Sequence, residues 1–318
     1  MNHYSKLLTH IPPILLPKEI TSTRLIEDGL NNKNILINNT WLVKEYLITD
    51  EMSDPVYLRF LREKDSLLLL KRNSHAPRLL KYYDDGVKFF IARMWVEGQS
   101  LTNDHLLNNV ELLVNALMSI HSITEPTDGD FHYYDVIKRY LLEYKGIEQH
   151  YPISSSLETE FSHFPSYERV NQFFIDHIHQ LQSLNSVRPL VRIHGDLVFS
   201  NIIYSRKNDV IAFIDWEYST LADPCIDLAY LITQNQLPHK LKHKIVEKYE
   251  EQLGNQVNPK VLEFTCNLMN LMSGLWYVIQ AARFKSTSVL NIEQHASFIE
   301  FLSFAQDRFQ ALDLIEVV

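Results

Sequence analysis

Glycine is scarce in this chain. Its 318 residues include 8 glycines, where average usage near 7% would give about 22. So few leave little room for the multi-glycine loops of the Rossmann and P-loop classes. Any phosphate-binding device here must be economical with glycine. Cysteine is almost missing as well. Cys225 and Cys266 make no disulfide framework, and a reducing cytoplasmic setting is the simpler expectation. Positive charge is in deficit, with Lys+Arg 30 against Asp+Glu 39 and a net charge of −9. That balance argues against a general nucleic-acid binder and against an anionic-membrane binder. No apolar run approaches the ~18 residues of a spanning helix, so no membrane insertion is expected. The segment MNHYSKLLTHIPPILLP is interrupted by Pro12, Pro13 and Pro17 and has no small-residue cleavage site. Internal repeats and low-complexity tracts are absent.

What is present is globular composition, 46% hydrophobic and 22% charged, over a length that suggests about two domains. The first hundred residues read β-β-β-α-β-β. Thr23 to Ile26, Ile35 to Ile37 and Trp41 to Leu47 are strand-like, the last two joined by the hairpin signal Asn38-Asn39. Pro55 opens a helix whose face is marked by Leu58, Leu61, Asp65, Leu68 and Leu69. Leu79 to Tyr83 and Lys88 to Arg93 form a second hairpin around Asp84-Asp85-Gly86. After Gly98 helical periodicity dominates, except for short strands within Val191 to Ile214. The expectation is an α+β chain in two lobes. Residues 1–96 would form a β-rich nucleotide-binding lobe with five antiparallel strands and one helix. Residues 97–318 would form a mainly helical lobe with the catalytic loop and the acceptor site. The junction at Met94 to Gly98 is a natural place for a ligand cleft.

The strongest chemical signal is VRIHGDLVFSNIIYSRKNDVIAFIDWEYSTLADPCIDL, from Val191 to Leu228. A short strand ends in His194-Gly195-Asp196, Asn201 follows five residues later, and a second strand ends at Asp215. Two carboxylates and a carboxamide make a hard oxygen ligand set of the kind Mg²⁺ takes. The order also matches the phosphoryl-transfer pattern of a catalytic Asp, a metal-binding Asn and a downstream metal-binding Asp. A lone Asp at a strand end is usually a turn former; the ordered set is not explained that way. His194 reads as a buried loop histidine that shapes the turn, not as the base.

Phosphoryl transfer also needs a cation on the nucleotide phosphates and an acid to position it. Lys44 lies on the third strand, opposite in face to Trp41 and Val43, and Glu63 on the following helix can reach it. The backbone around Met94 to Val96 is placed to hydrogen-bond an adenine. A single glycine, Gly29, flanked by Asn31 and Asn32, can turn over the phosphates while Lys44 and Mg²⁺ carry the charge.

At these residues the chain resembles the aminoglycoside phosphotransferase/choline kinase superfamily, whose fold is protein-kinase-like. The resemblance runs from about residue 25 to 310. DGLNNKNILI resembles the phosphate-loop segment of the choline and thiamine kinase branch. HGDLVFSN resembles the family's catalytic loop, and IDWEYSTLADPCIDLAYL its metal-binding segment. SGLWYVIQAARF resembles the choline/ethanolamine kinase helix that carries aromatic residues to the substrate. The resemblance implies ATP and Mg²⁺ as cofactors and a small-molecule acceptor as partner. It implies Asp196 as catalytic base and Asn201 and Asp215 as metal ligands. It further implies Lys44 on the α/β-phosphates with Glu63 as its partner, and Asp227 as support of the catalytic loop. Glu217 is expected to line the substrate or metal pocket, its alternative being a solvated turn carboxylate.

A quaternary ammonium donates no hydrogen bonds and is recognised by aromatic faces, at ~0.5–2 kcal/mol per ring. Trp276, Tyr277 and Tyr230 are the candidate rings, with Trp216 a weaker one. Two positions depart from the eukaryotic choline-kinase pattern. Ser273 stands where that pattern has an additional tryptophan, and Gln234 where it has an acidic residue of the ammonium pocket. Ethanolamine, thiamine and amino sugars therefore stay open as acceptors beside choline. A kinase-like binding module without turnover is the alternative of a different class, opposed by the intact set Lys44, Glu63, Asp196, Asn201 and Asp215. The short interval from Asp215 to Asp227 leaves no protein-kinase activation segment.

Overall fold

Five antiparallel strands make the largest sheet, in the order β1-β2-β3-β5-β4. They are β1 (Thr23–Ile26), β2 (Asn32–Ile37), β3 (Trp41–Tyr46), β4 (Leu79–Asp84) and β5 (Phe89–Met94), with helix α1 (Val56–Leu69) between β3 and β4. The structure is a computed structural model that describes residues 7–26, 32–47, 55–150, 161, 163–184, 189–286 and 292–315. Asn38 and Asn39 both take positive φ, 53° and 55°, which asparagine tolerates and a tight hairpin needs. Thr40 N–H closes that turn on the Ile37 carbonyl at 3.2 Å.

Period-two alternation gives β3 two different faces. Val43 and Trp41 join Ile35, Ile37, Phe90 and Ala92 on an apolar face, and Ile11 and Leu15 from the N-terminal stretch pack onto it. Trp41 Nε1 donates to the Leu15 carbonyl at 2.9 Å, which fixes that stretch in place. Lys44 and Tyr46 point the other way and are nearly fully buried.

β6 (Gln99–Ser100) leads to α2 (Asn103–His121), α3 (Tyr133–His150) and α4 (Tyr167–Ser183). Thr102 caps α2 by accepting from His105 N–H, and Ser166 caps α4 in the same way from Arg169 N–H. Next come β7 (Val191–Ile193), β8 (Ile202–Ser205), β9 (Val210–Phe213) and β10 (Thr220–Ala222). These make a two-stranded β10-β7 sheet and a three-stranded β6-β8-β9 sheet. The chain ends in α5 (Cys225–Gln234), α6 (His239–Leu253), α7 (Pro259–Ser286) and α8 (Ile292–Gln310).

Two compact units result. One comprises residues 1–131, 190–227 and 235–256, so the five-stranded sheet, the segment from β7 to β10, α2 and α6 belong to a single body. The other comprises residues 132–189, 228–234 and 257–318, where α7 packs along α8 and against α3 and α4. The small antiparallel sheet followed by a helical remainder is the protein-kinase-like α+β fold that the resemblance implies. No helix among the described residues is long and apolar enough to cross a membrane.

Helix α1 departs from the reading of its sequence. Leu68, expected on the buried face, is 45% exposed, and the helix buries Arg59, Arg62, Glu63 and Ser66 instead. A hydrophobicity pattern cannot show this, because Arg59 finds the Glu217 carboxylate and Arg62 the Glu217 carbonyl, both on another element.

Candidate active site

Three carboxylates converge on one ammonium. Lys44 Nζ lies 2.6 Å from Glu63 Oε2, 2.5 Å from Asp215 Oδ1 and 3.0 Å from Glu217 Oε2. β3 supplies the lysine, α1 supplies Glu63, and the segment after β9 supplies the other two. Burial alone would pull the Lys44 pKa down; the charges of Asp215, Glu217 and Glu63 outweigh it and hold the pKa above the ordinary lysine value. Lys44 is therefore a fixed cation. The oxygens of Glu63, Asp215 and Glu217 lie within 4.8 Å of one another, close enough for a metal, but the ammonium already bonds to each of them.

Glu63 is wholly buried and also accepts from the Tyr46 hydroxyl. Glu217 is no solvated turn carboxylate. It is buried, faces Arg59 Nη1 at 3.7 Å, and accepts from Asn32 Nδ2 at 2.9 Å. Asn32 thus reaches the Lys44 cluster, while Gly29 and Asn31 lie outside the described residues. Arg62, buried beside Arg59 on α1, donates its Nε–H to the Glu217 carbonyl at 2.5 Å. Neither arginine was visible as a site residue in the sequence; the one available signal was two arginines flanking an apolar pair just ahead of Glu63.

The loop from His194 to Asn201 is built on backbone anchors. Asp227, at the start of α5, accepts from His194 N–H and Gly195 N–H, each at 2.8 Å. His194 Nε2 meets the Ile214 carbonyl at 2.9 Å, so that nitrogen carries the proton, and Nδ1 accepts from Asp196 N–H at 3.2 Å. Burial lowers the His194 pKa against the opposing pull of Asp227. A neutral, tautomer-fixed ring joins the loop to the strand before Asp215, as the sequence reading of a structural histidine expects. Gly195 has φ +81°, and a Cβ there would collide with the Tyr218 carbonyl. Glycine is required at that point on both counts.

Asp196 and Asn201 meet directly. Asn201 Nδ2 donates to Asp196 Oδ2 at 2.8 Å and to its carbonyl at 3.0 Å. With the nitrogen turned to Asp196, the Asn201 Oδ1 is the end of the carboxamide left for a cation. Asp215 sits at φ +67°, a conformation that aspartate visits at a cost, and its side chain is 35% exposed. An amide oxygen and a partly exposed carboxylate are hard donors that fit Mg²⁺, and these two residues would hold it.

At the end of β5, Met94 N–H is bonded to the Arg78 carbonyl and Trp95 N–H to the Thr40 carbonyl. Those two donors are already engaged, which leaves Val96 as the next backbone group along. Trp216 is not a recognition ring: it is fully buried, its Nε1 donates to the Phe213 carbonyl, and it packs against His194. Tyr230, Trp276 and Tyr277 belong to the second unit, and each is half-buried. The Trp276 and Tyr277 rings stand 5.2 Å apart in a T-shape, and both contact Phe301 of α8. Ser273, buried, donates its hydroxyl to the Met269 carbonyl one helical turn back.

Residues 22–264 match the phosphotransferase enzyme family. The chain belongs to that family. Mouse ethanolamine kinase 1 is 26% identical over 311 residues, covering 86% of this chain and 81% of that protein. Human ethanolamine kinase 2 is 25% identical over 67% of this chain and 53% of its own length. Among solved structures, choline kinase LicA from Streptococcus pneumoniae superposes with a TM-score of 0.68 at 18% identity, covering 96% of this chain and all of that one. This family member is a small-molecule kinase.

Proposed function

We propose that this phosphotransferase moves the γ-phosphate of ATP to the hydroxyl of a small cationic alcohol of the ethanolamine or choline type. The observation that carries the reading is the assembly of Lys44, Glu63, Asp196, Asn201 and Asp215 in one compact unit with their side chains already paired. The acceptor class is supported by the relatives, which are ethanolamine kinases and LicA proteins.

Phosphoryl transfer requires positioning and charge neutralisation more than covalent chemistry. Asp196 accepts the acceptor's hydroxyl proton and orients its oxygen; the Asn201 bond keeps the carboxylate in place. Lys44 turns from its carboxylates to the nucleotide phosphates, with Glu63 retained as the buried partner. Val96 and the adjacent backbone hold the base. Asn201 and Asp215 would hold Mg²⁺, which would supply charge neutralisation on the phosphates. Trp276, Tyr277 and Tyr230 offer aromatic faces to the acceptor cation. Asn32, which bonds to Glu217 in the Lys44 cluster, faces the phosphates.

Mg²⁺-dependent ADP release measured against choline, ethanolamine, thiamine, hexoses and kanamycin tests the reading, with Asp196→Ala as control. The expected result is turnover on ethanolamine or choline that falls by orders of magnitude in the control. Equal turnover in both proteins removes Asp196 from the role of base. Turnover on kanamycin alone removes the amino-alcohol reading.

A further inference from the structure

A second clamp on the catalytic loop lies outside the sequence motif. Asn235 is the first residue beyond α5, and Gln236 after it takes φ +47°, the left-handed turn that leads a chain out of a helix. The Asn235 side chain bonds back onto the loop. Its Oδ1 accepts from Phe199 N–H at 2.7 Å, and its Nδ2 donates to the Leu197 carbonyl at 2.8 Å.

These two bonds bracket Val198, whose carbonyl in turn accepts from Asn201 N–H at 2.9 Å. Asp196 lies one residue before the clamped carbonyl, and Asn201 two residues after the clamped N–H. Asp227 already fixes the loop ahead of Asp196. With Asn235 the backbone is fixed both ahead of Asp196 and within the interval that separates Asp196 from Asn201. The Asn201 carboxamide is turned by its bonds to Asp196, so its Oδ1 keeps its direction only while that interval is held. A carboxamide is the side chain that supplies one donor and one acceptor at this separation. Aspartate would set an oxygen against the Leu197 carbonyl, and alanine would leave both backbone groups without this partner.

We propose that Asn235 is a positioning residue for the metal-binding Asn201, acting through the Leu197–Phe199 backbone. The inference rests on Asn201 being a metal ligand. The test titrates Mn²⁺ into the full chain with saturating ADP and reads free Mn²⁺ by electron paramagnetic resonance, with thermal midpoints recorded alongside. Asn201→Ala is expected to weaken Mn²⁺ binding tenfold or more. Asn235→Ala is expected to weaken it at least fivefold. Asn235→Asp keeps the shape and the Phe199 bond and is expected to fall between Asn235→Ala and wild type; it carries the measurement if the alanine variant does not fold. Gln236→Gly, beside the clamp, is expected to bind Mn²⁺ as wild type does. Wild-type Mn²⁺ affinity in the Asn235 variants, with or without a lowered thermal midpoint, overturns the proposal if Asn201→Ala is weakened. Wild-type affinity in Asn201→Ala overturns the metal-site reading beneath it instead.

Discussion

The Lys44 ammonium and the Glu217 carboxylate, 173 positions apart in sequence, lie 3.0 Å from each other in the interior. Glu217 also faces Arg59 and accepts from Asn32. Removing one partner of a buried ion pair costs on the order of 3 kcal/mol, because the opposite charge remains buried. Glu217→Gln keeps the shape and one acceptor, so urea unfolding of that variant is expected to report a loss of about that size. A change within about 0.5 kcal/mol, the usual effect of a surface substitution, would show the carboxylate to be solvated.

Gly195 and Gly254 both have positive φ, but they differ in their surroundings. A Cβ on Gly195 meets the Tyr218 carbonyl, whereas one on Gly254 meets nothing within 4 Å. Gly254→Ala is expected to cost about 1–2 kcal/mol, the backbone penalty alone, and to leave kcat unchanged. Gly195→Ala adds a backbone collision beside Asp196. It is expected to cost more stability than Gly254→Ala and to lower kcat at least tenfold. Equal effects of the two alanines on kcat would show that the loop tolerates the displacement.

A buried relay leads from α6 to the loop. Tyr249 hydroxyl meets His121 Nδ1 at 2.7 Å, His121 Nε2 meets Asp227 Oδ2 at 3.1 Å, and Asp227 holds the loop amides. The Nε2 contact to a carboxylate sets the His121 tautomer, and the tyrosine supplies the donor that this tautomer accepts. Tyr249 and Asp227 share His121 as a bridging partner. A double-mutant cycle of Tyr249→Phe and Asp227→Asn is therefore expected to show coupling of about 0.5–3 kcal/mol. Strict additivity would mean that the three groups act separately.

His194 links proton uptake to folding. Its pKa in the fold is lowered by burial, so below about pH 6.5 the unfolded chain binds a proton that the folded chain does not. Stability from this residue is complete above the unfolded value. It declines as pH falls, by at most ~1.4 kcal/mol per pH unit, until the folded pKa is reached. Urea titrations between pH 7 and pH 5.5 are expected to show a steeper acid loss in wild type than in His194→Gln. Parallel profiles would remove His194 from the acid response.

Trp276 is one of the rings proposed for the acceptor cation. A ring that binds ground state and transition state alike changes KM with little change in kcat. Trp276→Phe retains a ring against Tyr277 and Phe301, so the fold is expected to stay intact. Its KM for the acceptor should rise severalfold while kcat stays within twofold. An unchanged KM removes Trp276 from the acceptor site.

The sequence by itself determined the β-β-β-α-β-β opening, the helical remainder and the set Asp196, Asn201 and Asp215. Each of these is written in local periodicity or in spacing along one short segment, and local spacing survives folding unchanged. It also placed Lys44 and Glu63 on adjacent elements. The glycine shortage pointed away from Rossmann and P-loop folds, and the fold is neither; among the loop glycines Gly195 has a specific steric duty. Tertiary structure alone decided that Glu217 is buried against Lys44. It also decided that α1 buries Arg59 and Arg62 while exposing Leu68, that Trp216 is core, and that Asn235 clamps the loop. All four depend on groups brought together from distant parts of the chain. Whether a charge is buried or solvated is set by the partner that folding brings to it, and no residue pattern within one helix or turn carries that information.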